Sequence, residues 1–329
     1  MPLAQRLEPW QAWLLTDGHA GNLRQAAALA LALGVAASAP PLQPRAPWRW
    51  LAPRRLAGDA HAFGPAFARQ LATGPLPRLA IGCGRQGALA TRLLRARGVP
   101  VVQILDPRLD PRLWDLVIAP EHDDLRGGNV LTLPGSLNPV DDAWLAEGAA
   151  RHPQLLALPQ PRVLVLLGGP TRHAPWTVEG LQAQLGTLQR LLAAWGGSLL
   201  ASTSRRTPPE AAAALHRAAD GLPGLVWDGG DADNPYQGML AAADLVLCTP
   251  DSVNMLSEAC ATRAQVRVLE PGLARGRIAR FLQSLQARQR IAPWHELDAP
   301  TPAVPLRETA RVAAQVRQRL GLPLQPAAD

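Results

Sequence analysis

Short apolar runs, each closed by a glycine-, proline- or polar-rich turn, recur along this chain between stretches of helical spacing. Residues 11–16, 78–83, 99–105, 113–119 and 129–133 read as strands in the first half. Residues 162–167, 198–202, 224–227, 243–248 and 266–269 do so in the second. Most are continuously apolar rather than alternating, the mark of strands buried on both faces of a parallel sheet. Ala/Leu-rich helices are predicted over 23–33, 178–195, 277–288 and 306–320. The alternation predicts an α/β protein with two Rossmann-like domains and parallel sheets. Three prolines from Pro153 to Pro161 read as a linker. The expected domains are therefore 1–155 and 156–329, with the last helix free to pack back on the first.

The stretch from Ala243 to Cys260 is the most informative. Its apolar half feeds Pro250-Asp251-Ser252, residues suited to opening a helix, and then helix formers. A strand running into a helix sets free N–H groups and a positive dipole end at the carboxyl edge of the sheet, a ready anion site. Glu258 falls on roughly the same helix face as Asp251 and Asn254, where a carboxylate can accept from two sugar hydroxyls. An ordinary capped helix with a solvated Glu is the competing reading.

Other strand ends carry chemistry too. Asp17-Gly18-His19-Ala20-Gly21-Asn22 comes after the first strand; Gly18 and Gly21 offer close backbone approach, and Asp17 or His19 offers a general base. Gly168 and Gly169 open space beside Arg172, and Arg205 and Arg206 sit among hydroxyls as an anion clamp. Asn234-Pro235-Tyr236 opens a helix. The Asp17–Asn22 loop is equally explained as a tight turn, and the Arg205-Arg206 segment as a solvated capping turn. Glu121-His122-Asp123 and the acidic loop 228–233 lack the spacing of a metal or calcium site, so no metal ligand is assigned. Trp48-Arg49-Trp50 and Arg54-Arg55 suit contact with an anionic membrane surface, against a covered loop with solvated arginines.

Composition narrows this further. The 329 residues are 47% hydrophobic and 18% charged, a globular chain with room for two cores. The net charge of +7 is carried by arginine alone, since there is no lysine. No basic stretch forms a recognisable nucleic-acid module, so nucleic acid is not an expected partner. Cys83, Cys248 and Cys260 are too dispersed for a zinc knuckle and read as reduced core thiols. No signal peptide or membrane span is evident, which points to the cytoplasm, with peripheral membrane contact at most.

In order along the chain stand Trp13-Leu14-Leu15-Thr16-Asp17-Gly18-His19-Ala20-Gly21-Asn22 with Gln25, 117–123, Gly168-Gly169-Pro170, Ser204-Arg205-Arg206-Thr207-Pro208, Asn234-Pro235-Tyr236 and 251–260. Together they resemble the mitochondrial-fission "elongated mitochondria" family of plants and many proteobacteria. The resemblance implies a GT-B-like fold, two Rossmann-like domains facing across a cleft with a nucleotide sugar on the second. It implies a donor diphosphate on the helix opening at Ser252, with Gly168, Gly169, Arg172, Arg205, Arg206, Asn234 and Met255 around it and Glu258 on the ribose. Gly18 and Gly21 would line the other side, and Asp17 or His19 would deprotonate an envelope or lipid-linked acceptor, without metal or other cofactor. A non-catalytic adaptor and a nucleotide-sugar epimerase are the rivals; a protein partner is not readable. The chain departs from the family at 261–266, where Ala-Thr-Arg-Ala-Gln-Val replaces Ala-Thr-Gly-Lys-Pro-Val, and at His19, often Lys or Arg.

Overall fold

A computed structural model describes residues 11–229, 233–295 and 300–322. Gly230, Asp231 and Ala232 of the acidic loop lie outside the described residues. The chain forms two compact units, 1–139 with 308–329, and 140–307.

The first unit runs β1 (Gln11–Thr16), α1 (Ala20–Leu33), β2 (Ala36–Ser38), α2 (Trp48–Leu51), α3 (Gly64–Thr73), β3 (Leu79–Cys83), α4 (Gly84–Arg95), β4 (Val101–Ile104), β5 (Leu116–Pro120) and β6 (Val130–Leu133). All neighbours in its sheet pair in parallel, in the order β2-β1-β3-β4-β5-β6. Alternate residues feed the two faces. Leu14, Ile81, Val102 and Ile118 join α1 on one face, and Trp13, Leu15, Ala80 and Val101 join α3 and α4 on the other. Gly87 is required for α4 to lie on β1, because a Cβ there would stand 2.2 Å from the Leu15 carbonyl oxygen.

The second unit runs α5 (Asp142–Arg151), α6 (Pro153–Leu156), β7 (Arg162–Leu167), α7 (Val178–Trp195), β8 (Ser198–Thr203), α8 (Pro209–Ala219), β9 (Gly224–Trp227), α9 (Tyr236–Ala242), β10 (Leu245–Cys248), α10 (Val253–Cys260), β11 (Gln265–Val268), α11 (Gly276–Ala287) and β12 (Ile291–Pro293). Its sheet is also parallel, ordered β12-β11-β10-β7-β8-β9. The final helix α12 (Thr309–Leu320) belongs to the first unit, where Val312, Ala313 and Val316 pack with Leu29 and Ala30 of α1.

The chain crosses between units at 139–140 and 307–308, not at 155–156. The physical reason lies in α5 and α6. Gln237 of α9 donates to the Trp144 carbonyl at 2.6 Å, and Gly148 has no room for a Cβ against Gln237. Leu155, in the proline-rich segment that reads as a linker, is buried with Leu164 and Met239. Helix α1 begins at Ala20, so Gly21 stands in its first turn and not in the preceding loop. The three-residue edge strands β2 and β12 carry too little pattern to be read from sequence.

Candidate functional site at the carboxyl edge of the second sheet

From β7 the chain moves outward through β8 to β9, then returns to place β10 on the other side of β7. The sheet order therefore reverses between β7 and β10, the position where open α/β sheets leave a crevice for ligands. Gly168-Gly169 leaves the end of β7, and Thr249-Pro250-Asp251-Ser252 leaves the end of β10.

Asp251 ties these pieces together. Its side chain is fully buried; Oδ2 accepts from the Gly169 N–H at 3.1 Å and from Arg206 Nη2 at 2.8 Å. Oδ1 accepts from the Trp176 indole N–H at 3.2 Å. Thr249 Oγ1 accepts from the Gly168 N–H at 2.7 Å. One carboxylate thus fastens the loops after β7 and β8 beneath the start of α10. The room expected for a ligand at the two glycines is filled by the protein itself. A Cβ at 168 would stand 2.1 Å from Asp251 Oδ2, and one at 169 would stand 2.1 Å from the Arg206 carbonyl oxygen.

Ser252 is the N-cap of α10, and its Oγ accepts from the Met255 N–H at 3.3 Å. Two turns along, Glu258 is 2% exposed, and its Oε2 accepts from the Tyr236 hydroxyl at 2.5 Å. Tyr236 is held in turn by the Asn234 side chain, whose oxygen accepts the Tyr236 N–H at 3.0 Å. Asn234 thus shapes the turn opening α9, and Met255 is half-buried against the core.

The three arginines differ. Arg206, 53% exposed, is paired with Asp251, so its charge is already matched inside the protein. Arg172 Nε donates to His173 Nε2 at 2.9 Å. Arg205 is exposed, at the tip of a turn tied by Ser204 and Thr207, whose Oγ1 donates to the Leu167 carbonyl at 2.9 Å. Sequence reasoning finds in Asp251 only a helix opener and leaves out Trp176 and Tyr236 as site residues. The Asp directly after a strand and before a helix is the available signal.

The altered segment after Cys260 is closed by another route. Arg290, buried, donates to the carbonyls of Cys260 at 2.9 Å and of Thr262 and Ala264 at 3.3 Å. This caps α10 with a cation at its negative dipole end. Burial lowers the guanidinium pKa.

In the first unit the sheet order reverses between β1 and β3. There Asp17 Oδ1 accepts from Asn22 Nδ2 at 2.8 Å and lies 3.0 Å from His19 Nδ1. Asp17 is held in place, while the His19 ring is 76% exposed. Gly18, at φ +81°, makes the turn, and Gly84 allows Asp17 and Asn22 to close on α4. Among the described residues no three His, Cys, Asp or Glu side chains converge as a metal site. No helix there is long and apolar enough to cross a membrane.

Two Rossmann-like domains with all-parallel six-stranded sheets define a GT-B-like protein. A co-structure of S. aureus MnaA with UDP matches with a TM-score of 0.51 and 12% identity, covering 97% of this chain and 99% of that one. UDP-GlcNAc 2-epimerase from Methanocaldococcus jannaschii matches with a TM-score of 0.59 and 10% identity, covering 94% and 99%. At such identities the likeness is one of fold. The chain belongs to the mitochondrial fission ELM1 family, whose model matches residues 20–320. The mitochondrial fission protein ELM1 of Arabidopsis thaliana is 29% identical over 285 residues, 77% of this chain but 66% of the plant protein.

Proposed function

We propose that this protein binds a nucleotide-diphosphate sugar on the second unit and transfers the sugar to an envelope or lipid-linked acceptor. The observation that carries the reading is the reversal of sheet order between β7 and β10, with a Ser-capped helix opening there. The diphosphate is assigned to the first-turn N–H groups of α10, where the helix dipole favours negative charge. Arg172 and Arg205 add cations. Glu258, aligned by Tyr236, is assigned to the ribose. Arg206, Gly168 and Gly169 shape the loops through Asp251. In the first unit Asp17 holds His19, so the exposed imidazole is assigned as proton acceptor from the incoming hydroxyl. Donors aimed at the leaving diphosphate stabilise the charge it develops.

Thermal melting with UDP, GDP, ADP and their sugar conjugates tests the binding half. A ligand at a hundred times its dissociation constant stabilises the fold by about 2.7 kcal/mol. Glu258→Gln is expected to weaken a bound nucleotide by about tenfold or more. Turnover with an acceptor in hand is expected to fall by about a hundredfold in His19→Ala with donor affinity kept. Release of free nucleotide with an epimerised sugar would instead identify an epimerase. The family membership favours a second reading, a non-catalytic adaptor. Absence of any nucleotide-induced shift at millimolar ligand selects it.

A further inference from the structure

The first unit carries a cavity of about 510 Å³ that the proposed transfer does not use. Its walls include Trp13, Pro41, Phe63 and Phe67, and Arg45 and Arg69 also line it. Both arginines are exposed, and neither side chain has a carboxylate, hydrogen-bond or ring partner among the described residues. The same segment continues into α2 through the Arg45 carbonyl, which accepts the Arg49 N–H at 2.8 Å. There Trp50 is 62% exposed, with Leu51 and Leu56 also exposed beside it in sequence. Arg49 lies over the Trp50 ring at 5.4 Å, and Arg54 is exposed without a partner among the described residues. Residues 41–70 hold five arginines and one carboxylate, Asp59, which is taken by Arg55 at 2.6 Å. The segment is anchored below: Gln86 and Arg92 donate to the Arg49 and Pro53 carbonyls at 3.1 and 2.7 Å, and Trp48, Ala52, Phe63 and Phe67 share one core.

Exposed Trp and Leu among unneutralised arginines match the boundary of an anionic bilayer, where Trp sits at headgroup depth and Arg meets phosphate. An aromatic cavity with two unpaired cations lining it matches a phospholipid, apolar tail inside and phosphate outside. We propose that this face docks on anionic phospholipid membrane, with Arg45 and Arg69 on lipid phosphate, Trp50 at headgroup depth and the cavity holding an acyl chain. The docking does not depend on sugar transfer.

The full chain is sedimented with phosphatidylcholine vesicles and with vesicles containing phosphatidylglycerol, over a range of salt. Binding is expected only to the anionic vesicles, weakening with salt. Arg45→Gln with Arg69→Gln should reduce it by about twenty-five-fold, about fivefold for each arginine. The control pair Arg190→Gln with Arg217→Gln, on the second unit, should leave it near the parent value. Trp50→Ser should remove the part that survives high salt, and Ala66→Phe, which fills the cavity, should weaken binding with charge unchanged. Thermal melting checks that each variant is folded. Equal loss in the control pair, equal pelleting with neutral vesicles or no pelleting overturns the proposal. So does full competition by inorganic phosphate, or unchanged binding in either Trp50→Ser or Ala66→Phe.

Discussion

Asp251→Ala is the most direct test of how the second unit builds its carboxyl edge. The substitution removes a fully buried carboxylate from three donors. Two of them, the Gly169 N–H and the Trp176 indole, are themselves buried, and a buried donor left unpaired costs about 1–3 kcal/mol. Arg206 is half-exposed and regains water, so its share is small. With the two buried donors counted, the expected loss is about 2–5 kcal/mol. For a unit of this size that lowers the melting temperature by roughly 10 °C. Arg206→Gln is the matched control. It leaves both buried donors satisfied but takes the charge-assisted bond from the Asp251 carboxylate, so it should cost about 1.5–3 kcal/mol. Differential scanning calorimetry reads both. In the double variant the Arg206 change should add almost nothing, because its partner is already gone. An Asp251→Ala protein within about 0.5 kcal/mol of the parent refutes the idea that this carboxylate fastens the loops together.

The same unit supports two further expectations. Arg290→Met keeps the apolar stem but uncaps α10, and chemical denaturation should show a loss of about 2–4 kcal/mol. Burial pushes the Cys260 thiol up to about 12 and raises Cys83 and Cys248 as well. A folded pKa above the unfolded value, about 8.5, means the contribution is intact below that pH and is lost as pH climbs towards the folded value. Melting temperature should therefore fall above about pH 9, and Cys260→Ala should flatten that fall. With no lysine and one tyrosine, few other groups titrate in this window.

The two sheets are legible in the sequence because their strands are continuous apolar runs closed by turns, a local signal that parallel strands carry in full. Residues 162–167 and 243–248 fall on β7 and β10 to within a residue or two. The unit boundary is not legible, because proline marks a turn whether or not the turn is covered. Pro153 opens α6, and Leu155 two residues later is core; only contact with α9 distinguishes this from an exposed linker.

The site divides the same way. Ser252 as N-cap and the closeness of Asp17 to His19 are relations over two to three residues, and chain order suffices to state them. The role of Gly168 and Gly169 is different. Their lack of a side chain is plain in the sequence, where it reads as room for a ligand. The group that occupies that room arrives from 82 residues away as the Asp251 carboxylate, and from the β8 loop as the Arg206 backbone. A glycine pair after a strand thus has two physical meanings, an opening for a phosphate or a close packing of the protein on itself. In this chain the second holds at 168 and 169, which moves the proposed anion contact one step along, to the N–H groups of α10. Arg206 obeys the same logic, since a cation already matched by a buried carboxylate has little charge left for a diphosphate. That leaves Arg205 and Arg172, both exposed, as the arginines whose removal should weaken nucleotide binding more than it weakens the fold.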